Sequence, residues 1–312
     1  MPQSILHDHI KKELAALLGC PPLRLRFNEP MSDHTSFRIG GQADAYFEPA
    51  SDTEILQALQ YCQTQDIPCT VLGNGTNILV ADAGIRGLVM VIGSHYAGVE
   101  SRGYNLEVKA GTRLSSLAAA AAQMNGTGLE FASGIPGTLG GAIQMNAGAY
   151  DGCMQDVVVE TVYLDEQLRY QQVTGQAHQF GYRHSVFSDR QCVILKAKIQ
   201  LKSGVHETII ERMADLAERR RRSQPLELPS AGSVFKRPTA HYAGKLISDC
   251  QLKGLTVGGA QVSEKHAGFI VNLGQATASD VRKLIDRVQI IVAEQTDVVL
   301  EREIKFIGDW QS

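Results

Sequence analysis

Apolar positions recur along this chain with two different periods, and the changes between them divide it into elements. MPQSILHDHIKKELAALLG carries histidines and acids among its apolar residues and reads as an amphipathic helix over residues 1–22, not as a signal peptide. SDTEILQALQYCQTQD places Ile55, Leu56, Leu59 and Cys62 on one helical stripe, with Ser51 or Asp52 available as a cap. IPCTVLGNGTNILVADAGIRGLVMVIG predicts two short apolar strands separated by a glycine loop. YNLEVKAGTRLSSLAAAAAQMNG predicts a strand, a Gly-Thr turn and an alanine-rich helix stopped by Asn125-Gly126. FASGIPGTLGGAIQMNAGAYDG is too rich in glycine to be a regular element. VVVETVYLD and CVILKAKIQLK alternate with period two and predict antiparallel strands. A helix from about Glu207 to Arg222 carries Ile209, Ile210, Met213, Leu216 and Ala217 and ends in four arginines, Arg219 to Arg222. Beyond it come strand-like segments, a helix from Ser279 and the strand VVLEREIKFIG. Helices and strands interleave without a strict βαβ rhythm, which predicts an α+β fold, with the domain boundary near residues 203–222.

Composition narrows the function classes. A chain of 312 residues exceeds what one hydrophobic core usually spans, so two or three domains are expected. The net charge of -3 gives no reason to expect nucleic acid or an anionic membrane as partner, so any basic site must be local. No apolar run approaches the roughly 18 residues of a membrane span. The six cysteines are scattered with no CxxC pair, which suggests reduced thiols in a cytoplasmic protein. The nine histidines are equally dispersed, with no HExxH, and no metal is expected.

Two glycine loops are suited to bringing backbone amides close to an anion. In LGNGTNILV, Gly73 and Gly75 allow successive N–H groups to share one concavity. The dinucleotide fingerprint would need a glycine where Ile78 stands, and neither loop carries the GK[ST] of a Walker motif. The second loop offers Gly134, Gly137, Gly140, Gly141 and Gly148. A pyrophosphate held between the two would suit a dinucleotide cofactor. In LPSAGSVFKRP, Ser233 can be read as a nucleophile, an anion donor or a turn residue. The nucleophile-elbow pattern fails, because Phe235 stands where it needs glycine.

HTSFRIGG (34–41), GNGTNILV (73–80), GIPGTLGGAIQMNAGAY (134–150), YRHSVF (182–187), PSAGSVFKRP (229–238), AGKLISDCQLKG (243–254), HAGFIVN (266–272) and LEREIKFIG (300–308) occur here in order. Together they resemble the UDP-N-acetylenolpyruvoylglucosamine reductases. The short gap between Arg183 and Ser233 is similar to the family's shorter form, which lacks a tyrosine-bearing insertion. The resemblance implies a two-lobed FAD-binding module of the vanillyl-alcohol-oxidase type over 23–205, with lobes of about 23–98 and 99–205. A substrate-binding domain over 206–312 would follow. It implies FAD held without a covalent bond, despite His34 beside the first block, and NADPH as hydride donor. The ligand would be a UDP-sugar, with no obligate protein partner.

Residue by residue, the resemblance assigns FAD contacts to Thr35, Ser36 and Phe37, and to Gly73, Asn74, Gly75, Thr76, Asn77 and Leu79. In the second loop it assigns Ser133, Gly134, Ile135, Pro136, Gly137, Thr138, Gly140, Gly141, Ala142, Asn146, Gly148 and Ala149. Arg183 matches the family's carboxylate-stabilising arginine, Ser233 its proton donor and Glu303 its third catalytic residue. Tyr182, Lys236, Arg237, Lys253 and His266 match substrate-binding positions. At most two of Arg219 to Arg222 are expected to touch ligand, since cations favour a helix C-terminus whatever the function. Three positions depart from the pattern. Asp151 stands where glycine is common, which limits φ there; Ser248 replaces an aspartate; and Arg237 replaces an asparagine, adding charge near the diphosphate. The competing expectation is an FAD-dependent sugar or lactone oxidase of the same cofactor fold, which has no need of Arg183, Ser233 and Glu303 together.

Overall fold

The structure, a computed structural model, describes residues 5–310. Helix α1 (Asp8–Leu18) buries Leu14 and Leu18 and ends where Gly19 turns left-handed, its N–H bonded to the Ala15 carbonyl. Helix α2 (Asp52–Thr64) begins at Ser51, whose hydroxyl accepts from the Glu54 N–H and so satisfies one open donor of the first turn. Both helices share one core with a four-stranded sheet, ordered Leu25–Pro30, Gln42–Phe47, Ile85–Val91, Cys69–Leu72. The first pair is antiparallel and the other two are parallel.

The second lobe is an antiparallel five-stranded sheet, ordered Tyr170–Thr174, Val158–Leu164, Val193–Gln200, Asn105–Lys109, Val99–Arg102. The two alternating segments predicted to pair do so directly. Helix α3 (Leu114–Gln123) packs against this lobe through Leu114, Leu117, Ala118 and Ala121. The glycine-rich loop, expected to be irregular throughout, contains helix α4 (Leu139–Gln144). Buried Leu139, Ala142 and Ile143 stabilise it, and the N–H groups of Leu139 and Gly140 donate to Thr112 and Ala110. Tertiary packing outweighs the low helix propensity of two glycines. Where two strands were expected over residues 67–93 there are three, because Ile78–Val80 leaves the sheet to pair elsewhere.

Helix α5 (His206–Ser223) leads into the C-terminal region, where α6 (Ala243–Asp249) and α7 (Ala278–Thr296) cover three short antiparallel strands ending at Ile270–Asn272. Val281, Leu284, Ile285, Val288 and Val292 form the buried stripe of α7, each contributing roughly 1.5–3 kcal/mol on burial. This second core also takes in Phe37, Ile39 and Leu79 from the first lobe. The chain then returns: Lys305–Ile307 pairs in parallel with Ile78–Val80. Asp82, just beyond that pair, accepts from the N–H groups of Ala278 and Ser279 at 2.7 and 2.9 Å, anchoring the start of α7 to the first lobe. The fold is α+β, and no described helix is long and apolar enough to cross a membrane.

Candidate active site

Ser233 lies on a thread of extended chain clamped on both sides. The Val234 N–H donates to Gly268, the Glu303 N–H donates to Val234, and the Lys236 N–H donates to Glu301. Gly232, at φ +77°, makes the turn that feeds Ser233 into this thread; the left-handed conformation explains a glycine there. Buried Val234 and Phe235 fix the thread in the C-terminal core. Glu303 is tied to the first lobe as well, since its carbonyl accepts from the Asn77 side chain at 3.3 Å and the Lys305 N–H donates to the Asn77 carbonyl at 3.0 Å. The first glycine loop and the segment carrying Glu303 are therefore one hydrogen-bonded unit.

Arg183 arrives from the second lobe. Gly181 and His184 bond to each other through both N–H and C=O groups, leaving Tyr182 and Arg183 at the tip of a two-residue turn. Arg183 has φ +54°, a conformation disfavoured for any side chain larger than glycine's. Ser185 and Ser188 hold the following segment by donating to the Gln144 carbonyl at the end of α4. Arg183 Nε then donates to Glu303 Oε1 at 2.7 Å, and Nη1 to the Gly148 carbonyl at 3.3 Å. Burial pushes the Glu303 carboxyl above the usual carboxylate range, although the Arg183 guanidinium pulls it the other way.

Two cavities meet here. The larger, about 690 Å³, runs between the lobes, and the smaller, about 420 Å³, opens on the C-terminal region. Arg183, Ser233, His266 and Glu303 are the described residues that line both. His266 accepts from the Gly268 N–H at Nδ1, 3.1 Å, which leaves its proton on Nε2; burial holds the ring below its ordinary pKa.

The larger cavity is walled by Ser36, Thr76, Asn77, Ile135, Pro136, Gly148 and Ala149 of the predicted cofactor set. Gly73, Thr138, Gly140 and Gly141 bound a separate pocket of about 80 Å³. Several other positions of that set point elsewhere. Phe37, Leu79 and Ala142 are core residues, and the Thr35 hydroxyl donates to the Ile39 carbonyl. Asn146 uses its side chain on the protein, donating to Gly181 and accepting from Gln155, so it braces the turn that carries Arg183. Gly75 is buried, whereas Asn74, Ser133, Gly134 and Gly137 lie outside the lining of both large cavities.

Lys253, Arg237, Tyr182 and His266 line the smaller cavity. Lys253 and Arg237 make no ion pair among the described residues, whereas Lys245 pairs with Asp249 and Lys265 with Glu227. Lys236, expected to face the ligand, lines neither cavity and instead pairs with Glu301. The strand register sets these two side by side, and the acid neutralises the lysine. Asp151 has φ +72°, so it adopts the left-handed conformation that a side chain there was expected to limit.

Further wall residues lie outside the assigned cofactor set. Of the four arginines ending α5, Arg219, Arg221 and Arg222 pair with Asp215 or Glu218, while Arg220 turns inward, donates to the Gly134 carbonyl and lines the larger cavity. Arg38 and the stretch Ser223–Ala231 complete that wall. The cavity suits a large polar cofactor. Ser36 Oγ and Gln224 Oε1 on its wall, and Thr138 Oγ1 at the small pocket, are buried with no hydrogen-bond partner. Buried polar atoms rarely stay unpaired in a working state, and a ligand with carbonyl, hydroxyl and phosphate groups would satisfy them.

Residues 224–307 match the family described as UDP-N-acetylenolpyruvoylglucosamine reductase, C-terminal domain, and residues 43–167 match the FAD binding domain. The UDP-N-acetylenolpyruvoylglucosamine reductase of Caldanaerobacter subterraneus subsp. tengcongensis is 48% identical over 286 residues, 92% of this chain and 94% of that protein. That of Syntrophomonas wolfei is 45% identical over 93% of this chain and 97% of its own length. The chain belongs to this reductase family. The crystal structure of the Thermus caldophilus reductase superimposes with a TM-score of 0.78 at 34% identity, covering 89% of this chain and 97% of that one. The protein is thus an FAD-dependent oxidoreductase, its two lobes forming the FAD-binding module and its third region the family's C-terminal domain.

Proposed function

We propose that this reductase converts UDP-N-acetylglucosamine enolpyruvate to UDP-N-acetylmuramate in the cytoplasm, with NADPH as hydride source, in the synthesis of peptidoglycan precursors. The observation that carries this reading is the wall shared by the two cavities: Arg183, Ser233, His266 and Glu303 stand between a cofactor-sized space and a cationic one. FAD, when bound, supplies reversible hydride exchange between NADPH and the alkene of the substrate. Ser36, Asn77, Gln224 and Arg220 would hold it in the larger cavity, without a covalent bond, since His34 is engaged by Glu29 and stacked on Tyr46.

The substrate's diphosphate fits the smaller cavity, where Lys253 and Arg237 are the cations not already paired. Its carboxylate fits Arg183. Two of that guanidinium's five N–H groups are held by Glu303 and Gly148, which leaves three to bind and orient a planar anion. The charge that develops on the carboxylate as hydride adds to the alkene is stabilised by this fixed cation. Ser233 delivers the proton to the neighbouring carbon, which a hydroxyl can do only towards a strongly basic carbanion at fixed geometry. His266 offers its Nε2–H to the same end of the ligand.

The test is anaerobic. NADPH is added to the yellow enzyme until the flavin bleaches, and the enolpyruvyl sugar follows. Flavin colour should return without oxygen; a flavin that stays reduced overturns the assignment. Ser233→Ala should leave reduction by NADPH nearly intact and slow reoxidation by substrate about 10²–10⁴-fold. Equal loss in both half-reactions removes Ser233 from the proton-donor role. An oxidase of the same fold would instead need oxygen and would tolerate this substitution.

A further inference from the structure

Two of the six cysteines lie together. Cys62 is on the last turn of α2 and is 3% exposed, while half-buried Cys69 opens the strand Cys69–Leu72. The chain folds back sharply between them. The Ile67 N–H donates to the Cys62 carbonyl at 2.8 Å, and Asp66, at φ +53°, makes the turn. Cys69 packs against the same core that buries Cys62, and its S–H donates to the Cys62 sulfur. That bond favours the thiolate at Cys62 and disfavours it at Cys69. The other four cysteines have charged neighbours instead: Arg24 near Cys20, Asp156 near Cys153, Arg190 near Cys192 and Asp249 near Cys250. The strand that Cys69 opens lies at the edge of its sheet, paired with Ile85–Val91, and runs straight into the first glycine loop at 73–77.

We propose that Cys62 and Cys69 are a modification site, closing to a reversible disulfide when the protein meets a peroxide, and that this bond staples the root of the glycine loop without stopping catalysis. The fold already holds the two sulfurs side by side, so neither element has to move, and the partner thiol is present at contact rather than at the concentration of a second chain. One sulfur takes an oxygen from the peroxide, which gives a sulfenic acid and one water. The other sulfur attacks the first and displaces that oxygen as a second water. Two thiols thus lose two protons and two electrons, and one peroxide is reduced to two waters. The bond closes a short loop whose ends are held together in the folded state, so it acts mainly by restricting the unfolded chain, and the oxidised protein is the more stable. Neither cysteine lines either large cavity, so the reacting wall is left as it was.

The FAD-loaded enzyme is treated with hydrogen peroxide, its remaining thiols are alkylated in denaturant, and the tryptic peptide spanning residues 39–86, which holds both cysteines, is weighed. It should carry no alkyl group and be two hydrogens lighter, and dithiothreitol should restore two alkylatable thiols. The thermal midpoint should rise by a few degrees, with turnover unchanged. Cys69→Ala, a change at the half-buried position, should leave Cys62 unable to close the bond and should remove the rise in midpoint under the same treatment. Cys62→Ala should do the same from the other side. The proposal is overturned if both thiols are still alkylated after peroxide, if either sulfur is found as a sulfinic acid or bonded to another chain, or if the midpoint rises equally in Cys69→Ala. A disulfide that forms but lowers the midpoint or stops turnover overturns the staple.

Discussion

The two cavities that meet at Ser233 are made of different materials. The larger is walled mostly by small, apolar and uncharged residues from several loops: Ser36, Thr76, Asn77, the turn around Gly148 and most of the stretch Ser223–Ala231. The smaller is rich in cations, with Arg237, Lys245, Lys253 and Lys265 around it and Glu303 as the one carboxylate among the described residues of its lining. A wall of small and uncharged residues recognises shape and tolerates little added bulk. A cationic wall recognises charge, and each member can be removed at a separate cost. The difference teaches which positions carry specificity and which carry the frame.

The sharpest break in that comparison should come at Gly75. It sits at φ +63°, and an added Cβ would lie 2.1 Å from the His34 carbonyl oxygen, which is backbone and cannot move aside. Gly75→Val should cost about 2–5 kcal/mol in stability. The purified protein should be colourless, as read by its absorbance spectrum and thermal midpoint; a yellow protein of normal stability would mean that the close approach of this loop to His34 is not needed to shape the larger cavity.

Next in size is a contrast between two glutamates in the segment that leads into the strand Lys305–Ile307. The side chain of Glu303 is 9% exposed on Arg183, and that of Glu301 is 72% exposed on Lys236. Glu303→Gln should lower kcat by roughly 10²–10³-fold. Glu301→Gln should stay within about twofold, since an exposed ion pair is worth little. Steady-state rates on the two variants decide it, and similar losses would mean that burial does not distinguish them.

Arg220, like Arg38, brings positive charge to the wall of the larger cavity. Arg220→Ala should weaken flavin retention by roughly ten- to hundredfold, measured by titrating FAD into the apoprotein. Arg237→Asn should raise the KM for the sugar only a few-fold, because its guanidinium is partly engaged on the Tyr242 ring at 4.0 Å.

The smallest effect lies behind the Arg183 turn. His178 is buried, with Nδ1 donating to Gly175 and Nε2 accepting from Thr161, and burial holds it below its ordinary pKa. The folded state keeps it neutral while the unfolded chain protonates it below about pH 6.5, so its contribution is full above that pH and declines as pH falls. The urea midpoint should drop from pH 7 to pH 5 more steeply in the wild type than in His178→Gln.

Local chemistry was the legible part of the sequence. The alternation of Val158–Leu164 and Val193–Gln200 announced paired strands, and the arginine-ended helix was found within a residue at each end. Motif blocks selected Glu303 over Glu301, which periodicity alone could not do. What escaped was set by distant contacts. Nothing near Ile78–Val80 says that its partner lies beyond residue 300. Nothing in four consecutive arginines says that Arg220 alone turns inward, since that depends on where the acids Asp215 and Glu218 fall on the helix face. Lys236 looked like a ligand cation until the register placed Glu301 against it. Arg183's left-handed backbone is invisible in its own identity, because the turn is closed by its neighbours.

The parallel pairing of Lys305–Ile307 with Ile78–Val80 has a consequence for biosynthesis. During translation, the loop at residues 73–77 is made early, yet its bracing partner emerges from the ribosome more than two hundred residues later. Until then Asn77 has no strand to hold and Asp82 has no helix to anchor. The loop is therefore braced only after residues 303–307 have emerged, and a ribosome that stalls before them leaves most of the cofactor module made but that loop without its brace.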